Sequence, residues 1–323
     1  MIHNFSVKIE NHPKESNFVN SLTKALIMSQ EKLNLSRIVH GHWRLGDWNL
    51  SSQELLSLTK ECFDLGITSF DHADIYGNYT CESIFGQALA LDPSFRNQIQ
   101  IVSKCGIKLN SDKFPERKIK VYDYSFDYIM NSVNQSLKNL KTDYLDLLLL
   151  HRPSPFFDPS EAAKAFEELH KSGKVKQFGV SNFNPLQFEM LQKYGPVQLV
   201  TNQVELSPYC LEHFENGNMD FFMKEGIRPM AWSPLAGGMI FNPQNTKSER
   251  VRKALIEVSQ ELNLNSIDTL AYAWILKHPA QAIPIVGSGK LSRIQTAVKA
   301  LEIDLSLEQW FKIYIAANGE DLP

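Results

Sequence analysis

Eight short apolar segments alternate with longer segments of helical periodicity along most of this chain. The short segments are rich in aliphatic and β-branched residues, which indicates strands. Because a helix-length segment follows each of them, we expect the strands to pair in parallel through right-handed crossovers. The predicted strands are Ile38–His42, Thr68–His72, Gln100–Lys104, Tyr144–Leu150, Gln177–Val180, Leu199–Val204, Arg228–Trp232 and Ala282–Val286.

The segments between these strands predict helices. The first, Ser51–Gly66, opens with a Ser-x-x-Glu capping box that starts at Ser51 or Ser52 and has its acidic residue at or near Glu54, and it stops at a glycine, as helices commonly do. Apolar residues at helical spacing also predict helices over Phe126–Leu140, Pro159–Gly173 and Lys247–Leu264.

Eight such units in 323 residues favour a closed (β/α)₈ TIM barrel over an open sheet. A Rossmann fold would need a GxGxxG sequence after the first strand, where this chain has HWRLGDW. The GSGK sequence at 287–290 is no P-loop, because Pro284 and Leu291 stand where that motif needs Gly and Ser or Thr. No linker divides the chain, so we expect one domain over 1–323, with an N-terminal extension or cap (1–36), the barrel (37–300), and a C-terminal helix and tail (301–323).

Composition excludes several classes of protein. Hydrophobic residues make up 43% of the chain, which is enough for a large core, and the net charge of −3 gives no general attraction to nucleic acid or anionic membranes. Four cysteines without a CxxC spacing indicate a reducing compartment. The apolar run LDLLLL (145–150) is far shorter than the ~20 residues of a transmembrane helix. We therefore expect a soluble, cytoplasmic protein without membrane or nucleic-acid partners; neither HExxH nor paired Cys/His spacing indicates a metal site.

Four side chains with matching chemistry stand at or just after successive predicted strands. Asp71 lies at the end of the second strand and Tyr76 just after it, Lys104 ends the third, and His151 follows the fourth. In a barrel, the carboxyl ends of the strands meet at one face. Any one of these residues alone is more often structural than catalytic, but the four together indicate an active site.

This group suits the reduction of a carbonyl. Hydride addition to a carbonyl builds an alkoxide, so the site must supply a proton. Tyr76 is the predicted acid; Lys104 is expected to lower its pKa, while Asp71 keeps Lys104 charged and oriented. His151 is expected to hydrogen-bond and orient the carbonyl oxygen.

Seven motifs carry a resemblance to a known family. They are FDHADIYG (70–77), VSKCG (102–106), DYLDLLLLHRP (143–153), GKVKQFGVSNF (173–183), TNQVELSP (201–208), PMAWSPL (229–235) and IPIVGSGKLSRI (283–294). The sequence resembles the aldo-keto reductases over residues 37–300, close to a bacterial subgroup of predicted NADPH-dependent oxidoreductases. All four members of that family's catalytic tetrad match the four residues named above.

The resemblance also implies a cofactor site, for NADPH/NADP⁺. In the family, side chains equivalent to Ser181, Asn182 and Gln203 hydrogen-bond the nicotinamide amide, and an aromatic residue at the place of Trp232 stacks on its ring. The loop 233–238 is expected to lie along the pyrophosphate, where glycines allow close approach of the backbone. The implied cofactor residues are Ser181, Asn182, Gln203, Trp232, Ser233, Leu235, Gly287, Ser288, Lys290 and Arg293.

The adenosine end of this implied site favours NADPH over NADH. Ser288, Lys290 and Arg293 match or adjoin positions that hold the 2′-phosphate, and a hydroxyl and cations at a helix start suit a phosphate. The sequence departs from the family at Thr296 and Ala297, where acidic or amide side chains usually contact the adenine.

The substrate and two alternative functions stay open at this stage. Trp43 and Trp48 follow the first strand and are expected to line the mouth of a pocket for a small carbonyl compound. The chain could instead be a cofactor-binding accessory subunit, or a barrel lyase that uses Lys104 to form a Schiff base. Nothing in the sequence sets the oligomeric state, and a monomer is compatible with it.

Overall fold

The predicted strands close into an all-parallel barrel. The computed structural model describes residues 33–323. The barrel strands are β1 (Val39–Gly41), β2 (Ser69–Asp71), β3 (Gln100–Cys105), β6 (Leu145–Leu150), β7 (Val175–Ser181), β8 (Leu199–Glu205), β9 (Met230–Trp232) and β10 (Ile283–Val286). They are hydrogen-bonded in the order β1-β10-β9-β8-β7-β6-β3-β2. The sequence prediction of a (β/α)₈ barrel is therefore confirmed.

A short antiparallel pair, β4 (Ile107–Lys108) and β5 (Val121–Tyr122), lies outside the barrel after β3. Two-residue strands carry too little periodicity to be read from sequence, and this hairpin was not predicted. Its position matters because the segment leading into β5 reaches the candidate site described below.

Helices follow the barrel strands much as the periodicity predicts. The Ser51–Glu54 capping box forms, with a Ser51 N to Glu54 Oε2 distance of 2.8 Å, and Phe126–Leu140 has its predicted bounds. Two predicted helices end earlier than expected, at Lys171 and Glu261. The α-helices are Ser52–Asp64, Cys81–Leu89, Phe126–Leu140, Pro159–Lys171, Pro185–Tyr194, Glu212–Glu215, Asn218–Glu225, Thr246–Glu261, Ile267–Lys277, Leu291–Lys299 and Leu307–Asn318. The short element Tyr76–Tyr79 is a turn that contains non-helical residues.

The C-terminal segment forms a helix that packs against the barrel's outer layer. The Trp310 ring in Leu307–Asn318 stacks on Trp274 in Ile267–Lys277 with centroids 4.8 Å apart, and each indole N–H donates to the other's backbone carbonyl. The proposed extension or cap at 1–36 lies almost entirely outside the described residues. None of the described helices is both long enough and apolar enough to cross a membrane.

The parallel register brings the carboxyl ends of the strands to one rim. Asp71 pairs with Val102, and Ser181 with Gln203, so residues at or just past these positions face the same opening. Most strand residues are buried, because side chains fill the barrel on the inside and the helices cover it outside. The rim is therefore where polar groups can reach a ligand.

Candidate active site

A buried ion pair lies at the floor of this opening. The Lys104 ammonium, at the end of β3, is 2.8 and 2.7 Å from the two carboxylate oxygens of Asp71, and it also donates to the backbone carbonyl of His72 at 2.7 Å. Lys104 is fully buried and Asp71 nearly so. Burial lowers the pKa of Lys104, but the neighbouring Asp71 and Tyr76 outweigh burial, so the pKa lies above its ordinary value. The lysine is therefore held as an ammonium ion with a fixed direction.

Tyr76 shares that ammonium group. Its hydroxyl oxygen lies 3.1 Å from Lys104 Nζ, and the ammonium is 4.9 Å from the ring centroid. The turn after Tyr76 has a left-handed backbone at Gly77, Asn78 and Tyr79, which folds the chain sharply away from the end of β2. The turn therefore begins at the residue after Tyr76, whose phenol lies at the rim.

The electrostatics of Tyr76 correct one sequence-based expectation. Lys104 does act to lower the pKa of Tyr76, as predicted, but burial raises that pKa by more, and Asp71 also raises it. The net pKa lies above its ordinary value, because the free-energy cost of removing a phenolate from water exceeds the stabilisation that the Lys104 ammonium gives it. Tyr76 is therefore a protonated phenol at neutral pH, which is the form that can donate a proton.

His151 faces Tyr76 from the end of β6. The two rings meet edge to face with centroids 5.8 Å apart. Burial lowers the pKa of His151 well below its ordinary value, and the positive charges of Lys104, Arg152 and Lys120 lower it further. The imidazole is therefore neutral, and its buried Nδ1 has no hydrogen-bond partner among the described residues.

A chain of amides extends the site across the barrel mouth. Gln203 Nε2 donates to Asp71 Oδ1 at 2.8 Å, which links β8 to the ion pair. Asn182, which has a left-handed backbone, donates to Ser181 Oγ at 2.8 Å and accepts from Trp232 Nε1 at 3.0 Å. A non-glycine residue in this conformation costs energy, and such strain gathers at functional sites.

A cavity of about 920 Å³ opens above these groups. It brings together most of the residues that the sequence singles out. Those that line it are Trp43, Asp71, Tyr76, His151, Ser181, Asn182, Gln203, Trp232, Ser233, Leu235, Gly287, Ser288 and Arg293. Lys104 lies behind Asp71 and Tyr76 rather than on the surface of the cavity.

Trp48 and Lys290 do not line the cavity. The Trp48 ring stacks on His40 with centroids 5.3 Å apart, and a Cβ on Gly289 would lie 2.6 Å from the Trp48 ring. His40 Nε2 in turn lies 2.9 Å from the carbonyl oxygen of Ser288. Trp48 thus packs under the loop 287–290 instead of meeting a substrate. Lys290 stands at the N-cap position of the following helix, where its exposed side chain makes no capping hydrogen bond.

Several lining residues escaped the sequence analysis. Asp268 and Tyr272 lie on Ile267–Lys277, whose apolar sequence gave no sign that one face reaches the cavity. Thr296 and Ala297, where the sequence departs from the family, do not line it. The sequence analysis also missed three cations that line the cavity, Arg44, Lys120 and Arg152.

The described residues hold no group of three or more His, Cys, Asp or Glu side chains that could bind a metal ion. The buried histidines His42 and His72 instead stack on each other, with centroids 4.4 Å apart.

Comparison with known proteins agrees with this geometry. The sequence matches the Aldo/keto reductase family over residues 37–317. The chain belongs to this family. It is 52% identical to YcsN of Bacillus subtilis, an uncharacterized oxidoreductase, over 297 residues that cover 92% of this chain and 99% of that protein. The resemblance seen in the sequence motifs is thereby confirmed.

Two further proteins bear on fold and chemistry. A 6-dehydroglucose reductase of Agrobacterium fabrum is 40% identical over 297 residues, again covering 92% and 99% of the two chains. The crystal structure of an aldo/keto reductase from Klebsiella pneumoniae, in complex with NADP and acetate, has a TM-score of 0.70 at 23% identity and covers 86% of this chain and 89% of its own. At that identity the likeness concerns the fold.

The buried ion pair gives a test by paired substitution. Lys104→Met alone leaves the Asp71 carboxylate buried beside Gln203 without its countercharge, and we expect the free energy of unfolding at pH 7 to fall by about 3–5 kcal/mol. Lys104→Met with Asp71→Asn removes both charges and should cost clearly less than Lys104→Met alone. Urea unfolding measures the two single variants, Lys104→Met and Asp71→Asn, and the double variant. If the double variant were as unstable as the sum of the two single ones, the charge coupling would be absent.

Proposed function

We propose that this protein reduces an aldehyde or ketone with NADPH and that Tyr76 donates the proton. The observation that carries the proposal is the contact of the Tyr76 hydroxyl with the buried Lys104 ammonium, 3.1 Å away, beneath a cavity that Tyr76 and His151 both line. The site thus pairs an available phenolic proton with a fixed positive charge.

The residues around the cavity fit a nicotinamide dinucleotide. Asn182 and Gln203 offer amides, and a carboxamide needs both donors and acceptors. Gly237 and Gly238 line the cavity with positive φ angles of 65° and 101°, and open space lies where each Cβ would stand, so the backbone there is open to a phosphate. The Klebsiella relative of similar fold holds NADP, which supports the same cofactor class here.

Arg293 supports NADPH over NADH. Its side chain lines the cavity from the first turn of Leu291–Lys299, next to Ser288. A guanidinium group at a helix start matches a phosphate in both charge and geometry. Lys290 belongs to the same loop, and its exposed side chain is free to approach a phosphate from solvent.

The residues have separate roles in the proton transfer. A bound reduced nicotinamide supplies the hydride to the carbonyl carbon. As the carbon–oxygen π bond breaks, the oxygen takes the proton from Tyr76, and Lys104 stabilises the phenolate that remains. Neutral His151 donates a hydrogen bond to the carbonyl oxygen and fixes its direction. Asp71 and Gln203 hold Lys104 in place.

The named relative gives a first substrate class to test. The Agrobacterium protein is a 6-dehydroglucose reductase, and its 40% identity makes sugar-derived aldehydes the first candidates. The polar lining of the cavity, with Asn78, Asn182 and Arg152, suits a substrate that carries hydrogen-bonding groups.

The Schiff-base alternative agrees poorly with the state of Lys104. A nucleophilic lysine must lose its proton, whereas this ammonium has three acceptors from Asp71 and His72 and a raised pKa. A purely accessory role leaves the Tyr76–Lys104 contact without a purpose. Carbonyl reduction, in contrast, gives a role to each of Asp71, Tyr76, Lys104 and His151.

Replacing the proton donor tests the mechanism. In Tyr76→Phe we expect the turnover number to fall by about 10²–10⁴, because general acid catalysis contributes on this scale. NADPH affinity, followed by the quenching of tryptophan fluorescence, should change little since the phenol acts on the substrate. Unchanged turnover in this variant would rule out Tyr76 as the acid.

Cofactor preference tests the role of Arg293. Arg293→Met should weaken NADPH binding by about tenfold, the loss of one charge-assisted contact, and leave NADH binding nearly unchanged. Lys299→Met, an exposed change on the same helix that does not line the cavity, is the matched control. Calorimetric titration of both cofactors gives the result; equal affinity of the unaltered protein for NADPH and NADH would contradict the assignment.

A further inference from the structure

The cavity has an unbalanced positive charge. Among the described residues, two carboxylates line it, and both have partners: Asp71 is paired with Lys104, and Asp268 accepts from Ser266 and lies in the field of Arg293. The cations Arg44, Lys120 and Arg152 line it as well. Among the described residues, none of these three has a carboxylate within salt-bridge distance.

Arg152 is held in place by its backbone and not by its side chain. Its N–H donates to the Tyr124 hydroxyl at 3.0 Å, and that hydroxyl donates back to its carbonyl oxygen. The guanidinium carbon lies 5.4 Å from the centroid of the Trp232 ring. No hydrogen bond to a described residue uses the five N–H donors of this half-buried group, and a guanidinium in such surroundings is expected to find acceptors.

Lys120 differs from the neighbouring lysines in the same way. Lys108 is paired with Asp123 at 3.1 Å, and the ammonium of Lys118 donates to the carbonyl of Pro115 at 3.0 Å. The Lys120 ammonium meets only the face of Tyr122, at 5.7 Å from the ring centroid, in the segment that leads into β5. Lys108 and Lys118, which do not line the cavity, thus have nearby hydrogen-bond acceptors, whereas Lys120, which lines it, has none among the described residues.

Both cations act on the reacting end of the cavity. Arg152 follows His151 directly in the chain, and the charges of Arg152 and Lys120 each lower the pKa of His151. Arg152 also acts on Glu205, although the two do not form an ion pair. Burial raises the pKa of Glu205, and the charge of Arg152 partly opposes this shift. The two positive charges therefore stand beside Tyr76 and His151, where the substrate carbonyl is expected.

We propose that Arg152 and Lys120 form a subsite for an anionic group of the substrate, so that carbonyl compounds carrying a carboxylate or a similar anion are preferred. The inference rests on the proposed reductase function and specifies its substrate class. An Arg fork fits a planar carboxylate with two parallel hydrogen bonds, and the exposed ammonium of Lys120 adds charge. A sugar-derived aldehyde with an acid group would fit this subsite; 6-dehydroglucose itself carries no acid group, so the anion preference rests on Arg152 and Lys120 alone.

A pair of nearly isosteric aldehydes isolates the effect of charge. The probes are 4-carboxybenzaldehyde, an anion at pH 7, and the neutral 4-formylbenzamide, each reduced with saturating NADPH. We expect kcat/KM to favour the carboxylate by about tenfold or more, the scale of one charge-assisted contact. In Arg152→Met this ratio should fall at least tenfold, in Arg152→Lys by less, and in Lys120→Met partially. Lys118→Met, which removes a nearby charge outside the cavity, should keep the ratio.

Binding provides a second readout that needs no turnover. By calorimetry, unreactive 4-methylbenzoate should bind the NADP⁺ complex more tightly than 4-methylbenzamide, and Arg152→Met should remove the difference. A ratio near one in the unaltered protein, or one that Arg152→Met leaves unchanged, overturns the subsite. So does an Arg152→Met variant that keeps the ratio but loses NADPH affinity, which would assign the cation to the cofactor. If neither aldehyde is reduced while 4-methylbenzoate binding still depends on Arg152, the proposed reaction fails and the subsite stands.

Discussion

The ammonium group of Lys104 is buried inside the barrel, and the candidate site is organised around its charge. An isolated buried cation costs several kcal/mol, so it requires a full set of partners. Two Asp71 oxygens, the His72 carbonyl and the Tyr76 hydroxyl provide them, and Gln203 fixes Asp71 from the far side of the barrel. The direct partners follow one another at and just after the end of β2, whereas Gln203 comes from β8, so the full set assembles only when the barrel brings β2, β3 and β8 together.

The same closure explains how the rest of the cavity is built. Parallel strands deliver their carboxyl ends to one rim, and strained backbone then turns the chain sharply. Asn182 and Ser233 both have left-handed φ angles and both line the cavity. Strain at such positions persists only where neighbouring contacts fix it, as the Trp232 to Asn182 hydrogen bond does here.

The sequence predicts the site residues whose positions follow from the pattern of strands. Asp71, Lys104 and His151 were predicted because each stands at or just after a strand, where the barrel rule places function. Trp48 was misplaced because the 3₁₀ turn Leu45–Trp48 folds its ring under the loop 287–290, and no local pattern encodes that contact. Lys120 was missed because it reaches the cavity from a segment outside the barrel. Only the three-dimensional structure shows that the Lys120 ammonium lines the cavity without a hydrogen-bond acceptor among the described residues.

The most direct measurement of the central claim is the pH dependence of single-turnover NADPH oxidation with a carbonyl substrate. Burial raises the pKa of Tyr76 and lowers that of His151, so both groups keep their active forms through neutral pH. The account predicts a rate constant that is level from pH 6 to 9 and falls only above about pH 10, the ordinary pKa of a phenol. A decline with a midpoint between pH 6 and 8 would contradict it, because another group would then supply the proton.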